Sequence, residues 1–370
     1  MPQLRNECPD WQSSIVNDIL PHYMTPLTRR DWIRLSTLAV AAAARPLGAQ
    51  STPLRMLLNS GYSGANAFFL LAEDKGYYKD AGVEVAFTTG VGAYTAPERM
   101  MKEGFDVGYG DVNALIETVS RDPQQSPVAV YMMFNNSPSV LAVKAGGRVE
   151  LPYDLVGRTL VGHASDVALN TFGIFAALAR IDPQEMTITT TEASMGSMLK
   201  DLVAGKCDAV FGYNSTIRAA AAAEKIDADK ELKFFKYEDL ISDCYGSAIM
   251  VRRSLLQQSP QLVRGLLRAV TRGLRDAILQ PDAAMDALAK RDPKIDRAIE
   301  KARFQNTLDG EMAHVEGQRI GIGDFDEGRL ATSVVYNVEA RRLQRIPGIL
   351  EVFNRDYLPP INERITSLGR

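Results

Sequence analysis

Residues 55–89 read RMLLNSGYSGANAFFLLAEDKGYYKDAGVEVAFTT and contain one complete strand–helix–strand unit. The pattern predicts three elements: a strand at 55–59, a helix at 65–75 and a strand at 83–88. Phe68 and Leu71 stand at helical spacing, and Gly76 ends the helix. A helix that connects two short apolar strands is typical of a parallel strand pair covered by helices.

The same alternation continues to about residue 250. Further strands are predicted at 105–109, 128–134, 139–144, 159–162, 187–191, 209–212, 232–237 and 248–251. Further helices are predicted at 95–103, 113–120, 167–180, 197–204, 219–224, 260–279, 282–291, 294–304 and 326–342. Strands and helices that alternate in this way predict an α/β protein with helices on the faces of its sheets.

The pattern restarts near Pro138, which predicts a molecule of two lobes. Residues 100–110 (MMKEGFDVGYG) and 202–213 (LVAGKCDAVFGY) form a weak internal repeat of helix end, glycine, aspartate and short strand. The chain is expected to cross between lobes near 137–143 and again near 246–251, with a cleft between the lobes. We therefore predict lobe 1 from residues 50–138 plus 249–360 and lobe 2 from 139–248, each a mixed sheet flanked by helices.

Residues 28–50 have the layout of an export signal. Arg29 and Arg30 precede an apolar run at 35–44 and the small residues Gly48 and Ala49, and the arginine pair indicates the twin-arginine route. The run has about ten residues, fewer than the ~20 that span a bilayer. The alternative is a buried first helix that happens to begin with two arginines. Met24 lies at a more usual distance from the arginine pair, which favours Met24 as the start and residues 1–23 as an over-called start. Residues 1–49 are left out of the fold prediction.

Composition excludes several classes of protein. The net charge of the full chain is −3. Residues 1–49 contain five Lys/Arg and four Asp/Glu, so the remaining chain has 37 basic and 41 acidic residues and a net charge of −4. With no basic run, this balance argues against nucleic acid as a partner. Cys207 and Cys244 could form a bridge or be two buried thiols. His163 and His314 stand alone, and no Cys or His motif with metal-ligand spacing is present, so no metal site is expected.

Five segments resemble the periplasmic solute-binding proteins for taurine, alkanesulfonates and the pyrimidine precursor of thiamine. They are DKGYYKDAGVEV at 74–85, GFDVG at 104–108, DLVGR at 154–158, GKCDAV at 205–210 and NRDYLP at 354–359. Each motif is weak alone, but the five occur in the order of the family between about residues 52 and 360. The resemblance covers nearly the whole exported part of the chain.

This resemblance implies a type II periplasmic-binding-protein fold and a role in import. The ligand would lie between the lobes, held by loops at the carboxyl ends of strands and by helix amino termini, whose free N–H groups suit anions. Such proteins pass a small-molecule solute to a membrane permease driven by ATP hydrolysis, an ABC importer. We therefore expect a periplasmic, monomeric solute-binding protein.

The resemblance also implies which loops face the ligand. The candidate ligand-binding residues are Ser60, Tyr62, Ser63, Asn66, Tyr109, Asp111, Asn113, Asn136, Ser137, Ser165, Asp166, Tyr213, Asn214, Ser215, Asp243 and Tyr245. Three of these candidates, Tyr62, Tyr109 and Tyr213, each follow or precede a glycine where a strand ends. Each could stack on a planar ligand or make only a surface or hinge contact. The three aspartates could bind an amine or cap helices.

The competing class is an enzyme, because the same family includes the fungal-type thiamine pyrimidine synthase. That enzyme consumes pyridoxal phosphate and its own histidine in the presence of iron. In that enzyme, a lysine and the histidine that is consumed lie on the helix that follows the first strand with a G-x-x-D motif. The corresponding residues 106–120 of this chain contain neither a lysine nor a histidine. The cysteine cluster of the synthase is also missing. We therefore expect a binding protein without catalytic residues or cofactor, and the choice between a sulfonate and a pyrimidine stays open.

Overall fold

The structure is a computed structural model that describes residues 53–369. The predicted export signal and the proposed over-called start therefore lie outside the described residues. Within residues 53–369, no helix is both long enough and apolar enough to cross a membrane.

Two five-stranded sheets form the framework of this part of the chain. The strands are β1 (Leu54–Leu57), β2 (Val85–Thr88), β3 (Val107–Asp111), β4 (Val128–Met132), β5 (Ser139–Lys144), β6 (Thr159–Gly162), β7 (Thr187–Thr190), β8 (Ala209–Tyr213), β9 (Leu232–Lys236) and β10 (Ser247–Val251). Every predicted strand has a counterpart here, within a few residues at either end.

Both sheets follow one topological plan. The first has the order β2-β1-β3-β10-β4 and the second β7-β6-β8-β5-β9. In the first, β1 is parallel to β2 and β3, while β10 is antiparallel to β3 and β4. In the second, β6 is parallel to β7 and β8, while β5 is antiparallel to β8 and β9. Strands β3 and β8, which contain the repeated motif, occupy equivalent central positions, so the weak repeat reflects a duplicated plan.

Helices flank both sheets. They are α1 (Ala67–Asp74), α2 (Tyr77–Asp80), α3 (Ala96–Glu103), α4 (Val112–Arg121), α5 (Val167–Asn170), α6 (Phe172–Ala179), α7 (Met195–Val203), α8 (Asn214–Ala223), α9 (Ala228–Glu231), α10 (Arg253–Gln258), α11 (Pro260–Leu279), α12 (Pro281–Arg291), α13 (Arg297–Asn306), α14 (Val315–Ile320), α15 (Glu327–Arg341) and α16 (Ile349–Val352). A π-helical segment, Thr307–Met312, follows α13 directly. The structure is thus an α/β protein with two mixed sheets, as predicted.

Each sheet has its own apolar core. In the first, the rings of Phe69 and Tyr109 meet edge to face at 5.1 Å, and both residues are fully buried. In the second, Phe175 stacks on Tyr237 at 4.7 Å. The apolar cluster of the first sheet is separate from the two clusters of the second, so each lobe can keep its own packing while its position relative to the other changes.

The chain crosses between the sheets twice, after β4 and after β9, and helices near its end then contact both lobes. Helix α13 packs against α8, and α15 packs against both α4 and α6. Arg341 on α15 pairs with Glu117 at 2.5 Å and donates to the Asn170 carbonyl at 3.0 Å, so one side chain bridges the two lobes. The predicted lobe boundaries stay a prediction, although β10 lies in the first sheet from Ser247 onward.

One helix that the sequence predicts to be continuous is interrupted in the structure. The pattern predicts a single helix at 167–180, but α5 and α6 are separated at Thr171. The Thr171 hydroxyl donates to the Val167 carbonyl at 2.7 Å, as does the Thr171 backbone N–H at 2.8 Å. A threonine that bonds back to the preceding turn in this way bends or interrupts a helix, while the apolar spacing on either side is unchanged.

Candidate ligand-binding cleft

A cavity of about 280 Å³ lies between the two sheets, where the carboxyl ends of their parallel strands meet. Residues of both lobes and of the late helical region line it. They are Asn59, Ser60, Gly61, Ala65, Gly90, Val91, Gly92, Ala93, Phe134, His163, Ser165, Asp166, Val167, Met195, Tyr213, Ser215, Thr216, Arg303 and Glu311. This edge of open α/β sheets is where ligands usually bind.

At the rim of the cavity, the lobes touch. The Ser165 hydroxyl, after β6, donates to the Val91 carbonyl, after β2, at 2.9 Å. Gly92 lies beside this bond with φ +149°, and a Cβ atom there would come within 2.7 Å of the Ser165 side chain. A glycine is therefore required for the loops to approach this closely.

The second-lobe wall is organised by a histidine and an aspartate. The Asp166 carboxylate accepts a hydrogen bond from the His163 backbone N–H at 3.0 Å, while the His163 ring contacts the Ala193 carbonyl through Nε2 at 2.8 Å. Hydrogen bonding to Asp166 raises the pKa of His163 above its usual value. Both side chains are thus held by local contacts and present a fixed polar surface to the cavity.

Tyr213 ends β8 and reaches across to the first lobe. Its hydroxyl donates to the Asp111 carboxylate at 3.4 Å, and that carboxylate also caps α4 by accepting from the Asn113 N–H at 2.9 Å. Complete burial raises the pKa of Asp111 to about 6. A carboxyl of one lobe and a phenol of the other therefore meet beneath the cavity.

The remaining charged groups of the cavity come from the late helical region. Arg303 on α13 donates from Nη2 to the Thr216 hydroxyl at 2.9 Å, which joins this helix to the second lobe. Glu311, in the π-helical segment, is only 2% exposed. Burial raises the pKa of Glu311 to about 7, while hydrogen bonding with Ser215, the Arg303 charge and hydrogen bonding with Thr307 oppose this rise.

Five of the predicted ligand-binding residues line the cavity: Ser60, Ser165, Asp166, Tyr213 and Ser215. The others lie outside its lining: Tyr62, Ser63, Asn66, Tyr109, Asp111, Asn113, Asn136, Ser137, Asn214, Asp243 and Tyr245. A ligand contact for any of these residues stays a prediction.

Several of the polar residues outside the lining hold loops in place. Asn66 accepts from the Ser63 N–H at 3.1 Å and donates to the Gly61 carbonyl at 2.9 Å, which closes the loop before α1. Asn113 donates to the Tyr245 carbonyl at 2.9 Å and joins α4 to the second crossover. These side chains satisfy buried backbone groups, a need that every irregular segment has.

The three candidate stacking tyrosines occupy different environments. Tyr62 is half-buried against the first-lobe core, and Tyr109 is fully buried with its ring 6.0 Å from that of Phe134. Only Tyr213 among them lines the cavity, together with Phe134. A planar ligand in the cavity would therefore meet Tyr213 and Phe134.

A polar cluster near both crossovers connects α14 and α15 to the hinge. Arg329 donates to the Asn135 carbonyl at 2.8 Å in the first crossover and to the Ser242 carbonyl at 2.7 Å in the second. Its guanidinium also pairs with Glu316 and lies 4.4 Å from the centre of the Tyr245 ring. The Tyr245 hydroxyl donates to Glu316 at 2.8 Å. Arg329 thus donates hydrogen bonds to both of the segments that connect the lobes.

Sequence reasoning missed the contribution of residues 303–311 to the cavity. The only signal was an acidic residue, Glu311, between the apolar Leu308 and Met312. Cys207 and Cys244 are both free and buried, which answers the question of a bridge between them. Among the described residues, no group of three or more His, Cys, Asp or Glu could hold a metal ion.

Two similarly built α/β lobes with a cleft at the carboxyl edge of both sheets define the periplasmic-binding-protein fold, as ABC substrate-binding proteins have. The chain matches the family model described as NMT1/THI5 like over residues 65–284, more than half of its length. It therefore belongs to the NMT1/THI5-like family.

Three known proteins illustrate the range of its relatives. The riboflavin-binding protein RibY of Chloroflexus aurantiacus is 22% identical over 333 residues, which are 88% of this chain and 92% of that protein. The 4-amino-5-hydroxymethyl-2-methylpyrimidine phosphate synthase of Legionella pneumophila is 23% identical over 262 residues, 68% of this chain and 78% of that protein. The alkanesulfonate-binding protein SsuA from Xanthomonas axonopodis pv. citri, solved bound to MOPS, is 13% identical with a TM-score of 0.60, covering 82% of this chain and 97% of that chain.

Proposed function

We propose that this protein is the extracytoplasmic solute-binding component of an ABC importer and that it captures a small organic solute in the interlobe cleft. The observation that supports this most directly is the cavity, which takes lining residues from both lobes at the carboxyl ends of their strands. A ligand there would bond to both lobes at once, so binding would favour the closed arrangement.

The lining suits a small, partly polar organic molecule. Hydroxyl groups of Ser60, Ser165 and Ser215 lie beside apolar surface from Phe134 and Met195. A few convergent polar groups on an otherwise apolar surface are typical of small-molecule sites. A sulfonate, a pyrimidine or a related heterocycle is compatible with this mixture, and the riboflavin-binding relative supports solute binding in general.

The periplasm and an inner-membrane permease complete the proposal. The predicted twin-arginine signal supports export, and the resemblance of the sequence motifs to periplasmic solute-binding proteins supports transfer of the solute to a permease. Both remain part of the proposal.

The second candidate is a thiamine pyrimidine synthase-like enzyme, which the Legionella relative favours. The residues argue against it. No lysine lines the cavity in the described part of the chain, and the His163 ring there already contacts the Ala193 carbonyl and lies 3.6 Å from the Asp166 carboxylate. A site that must hold an aldehyde cofactor through a lysine has no such group here.

Thermal-shift screening of the purified protein against sulfonates, pyrimidines, flavins and aromatic carboxylates tests the proposal. A ligand at 100 times its dissociation constant should add about 2.7 kcal/mol to the free energy of unfolding. Small-angle scattering of the protein with any ligand found should show a more compact particle. A screen without a stabilising solute, or a ligand that leaves the scattering unchanged, would count against capture by lobe closure.

A further inference from the structure

A second concave site lies on the surface of the first lobe and shares no lining residue with the interlobe cleft. Its volume is about 650 Å³, against about 280 Å³ for the cleft cavity, and α11, α2 and the segment around Glu363 form its walls. Small-molecule sites usually have volumes of about 300–1,000 Å³. Four arginines of α11 line this site, and we call it the arginine groove: Arg264, Arg268, Arg272 and Arg275.

The sequence of α11 places all four arginines on one face of the helix. Their spacing of four, four and three residues keeps them within about 80° of the helix circumference. Leu266 and Val270, on the opposite face, are fully buried in the first-lobe core. Like charges four residues apart destabilise a helix, and the net charge of the chain is −3. Neither packing nor general basicity therefore explains this concentration of positive charge.

Two of the four guanidinium groups are not neutralised by a carboxylate. Arg275 donates from Nη2 to the Glu363 carbonyl at 2.6 Å, and Arg264 donates to the Asp356 carbonyl. Within residues 53–369, neither arginine forms an ion pair with a carboxylate. A guanidinium has five N–H donors, so each of these two arginines keeps donors that a ligand can use.

The other two guanidinium groups are held in place by carboxylates of the groove. Arg268 bonds to both carboxylate oxygens of Glu363, from Nε at 3.0 Å and from Nη2 at 3.4 Å. Arg272 bonds to Asp80 at 3.3 Å and lies 3.7 Å from the centre of the Tyr77 ring, which fixes the plane of its guanidinium. Four arginines and these two carboxylates are the charged groups of the lining, so the groove carries an excess of two positive charges.

We propose that the arginine groove binds a phosphate-bearing anion at a site separate from the interlobe cleft. A phosphate monoester carries about −1.5 to −2 charge at pH 7, which matches the excess positive charge of the groove. The planar guanidinium fork also fits phosphate oxygens through two parallel hydrogen bonds. The phosphate could belong to a soluble ester or diphosphate, or to a lipid headgroup. In either case the Glu363 carboxylate competes with it for Arg268.

Calorimetric titration of the purified protein tests this inference with defined probes. The soluble probes are pyrophosphate and methyl phosphate, and the lipid probe is phosphatidylcholine vesicles with and without phosphatidic acid. We expect at least one phosphate probe to bind. Arg268→Gln and Arg272→Gln should each weaken its binding about fivefold or more, because each removes a charged fork. Glu363→Gln should strengthen binding, because it releases Arg268, and a misfolded variant could not produce such a gain.

Arg297→Gln is the matched control, since Arg297 is an exposed arginine paired with Asp286 outside the groove. It should bind the probes as the wild type does, and all four variants should keep nearly the melting temperature of the wild type without probe. Binding of pyrophosphate or methyl phosphate alone would identify a soluble ligand, and binding of the phosphatidic acid vesicles alone a lipid headgroup.

Two results would overturn the inference. One is that no phosphate probe binds with a dissociation constant below about 1 mM. The other is that Arg268→Gln and Glu363→Gln both leave probe affinity unchanged, which would place the phosphate elsewhere, including in the cleft. Either result would leave the proposed capture of a solute between the lobes standing, because the two sites share no residue.

Discussion

Replacing Glu311 with glutamine should stabilise the unliganded protein, and more so at high pH. Burial raises the pKa of Glu311 from 4.5 to about 7, so the folded state keeps a proton that the unfolded state releases. The contribution of this carboxyl group to the free energy of unfolding is fully present below pH 4.5 and is lost as the pH rises through 7. The full shift corresponds to about 3 kcal/mol by the conversion of 1.36 kcal/mol per pKa unit.

Glutamine stays neutral at every pH and avoids this loss. We expect Glu311→Gln to exceed wild type in free energy of unfolding by about 1–3 kcal/mol at pH 8 and by less than about 1 kcal/mol at pH 5. Asp111 also has a raised pKa, but it titrates in both proteins and cancels in the comparison. Urea denaturation followed by far-ultraviolet circular dichroism at both pH values provides the measurement.

The control for this comparison is Glu363→Gln, which removes a solvent-exposed carboxylate paired with Arg268. Surface ion pairs contribute little, so this variant should differ from wild type by less than about 1 kcal/mol at either pH. A Glu311→Gln variant whose advantage does not grow between pH 5 and pH 8 would show that the carboxyl is well solvated or well paired in the folded protein, and the raised pKa would be refuted.

Four other expectations can be checked separately. Replacing Arg29 and Arg30 with lysine should keep the protein in the cytoplasm, and fractionation that still finds it in the periplasm would exclude the twin-arginine route. Tyr213→Ala should weaken binding of the identified solute by about fivefold, on the order of 1 kcal/mol for a lost ring contact, whereas Tyr213→Phe should keep most of the affinity. Arg329→Lys should destabilise the protein by about 1–3 kcal/mol in thermal or urea unfolding, because lysine cannot bond to both crossovers and to Glu316 at once, and an unchanged stability would refute that role. Incubation with pyridoxal phosphate and iron should give no pyrimidine product and no loss of histidine by mass spectrometry, and either one would support the enzyme instead.

The sequence predicted the strands of both sheets because short apolar runs ended by glycine or polar residues leave a clear local pattern. Thr171 shows the limit of that pattern: the helix break depends on one hydroxyl bonding to the preceding turn, which apolar spacing does not record. Local signals therefore predicted the elements well and their interruptions poorly.

The site was harder to predict for a different reason. Polar residues at strand ends look alike in sequence whether they face a ligand or, like Asn66 and Asn113, hold a loop. Arg303 lies near the end of a predicted helix and Glu311 lies between two predicted helices, and neither was predicted to line the cavity. Their role depends on how α13 and the following segment pack against both lobes, which is a property of tertiary structure.

The contact between Val91 and Ser165 at the cavity rim offers a place for an optical reporter. Val91 is 70% exposed, while its carbonyl accepts from Ser165 of the other lobe, so separation of the lobes would change its surroundings. Burial raises the pKa of Cys207 to about 11 and that of Cys244 to about 12, so both thiols should resist labelling. With Cys8 replaced, a Val91→Cys variant would carry a single reactive thiol, and a fluorophore attached there would convert solute capture into a change in emission.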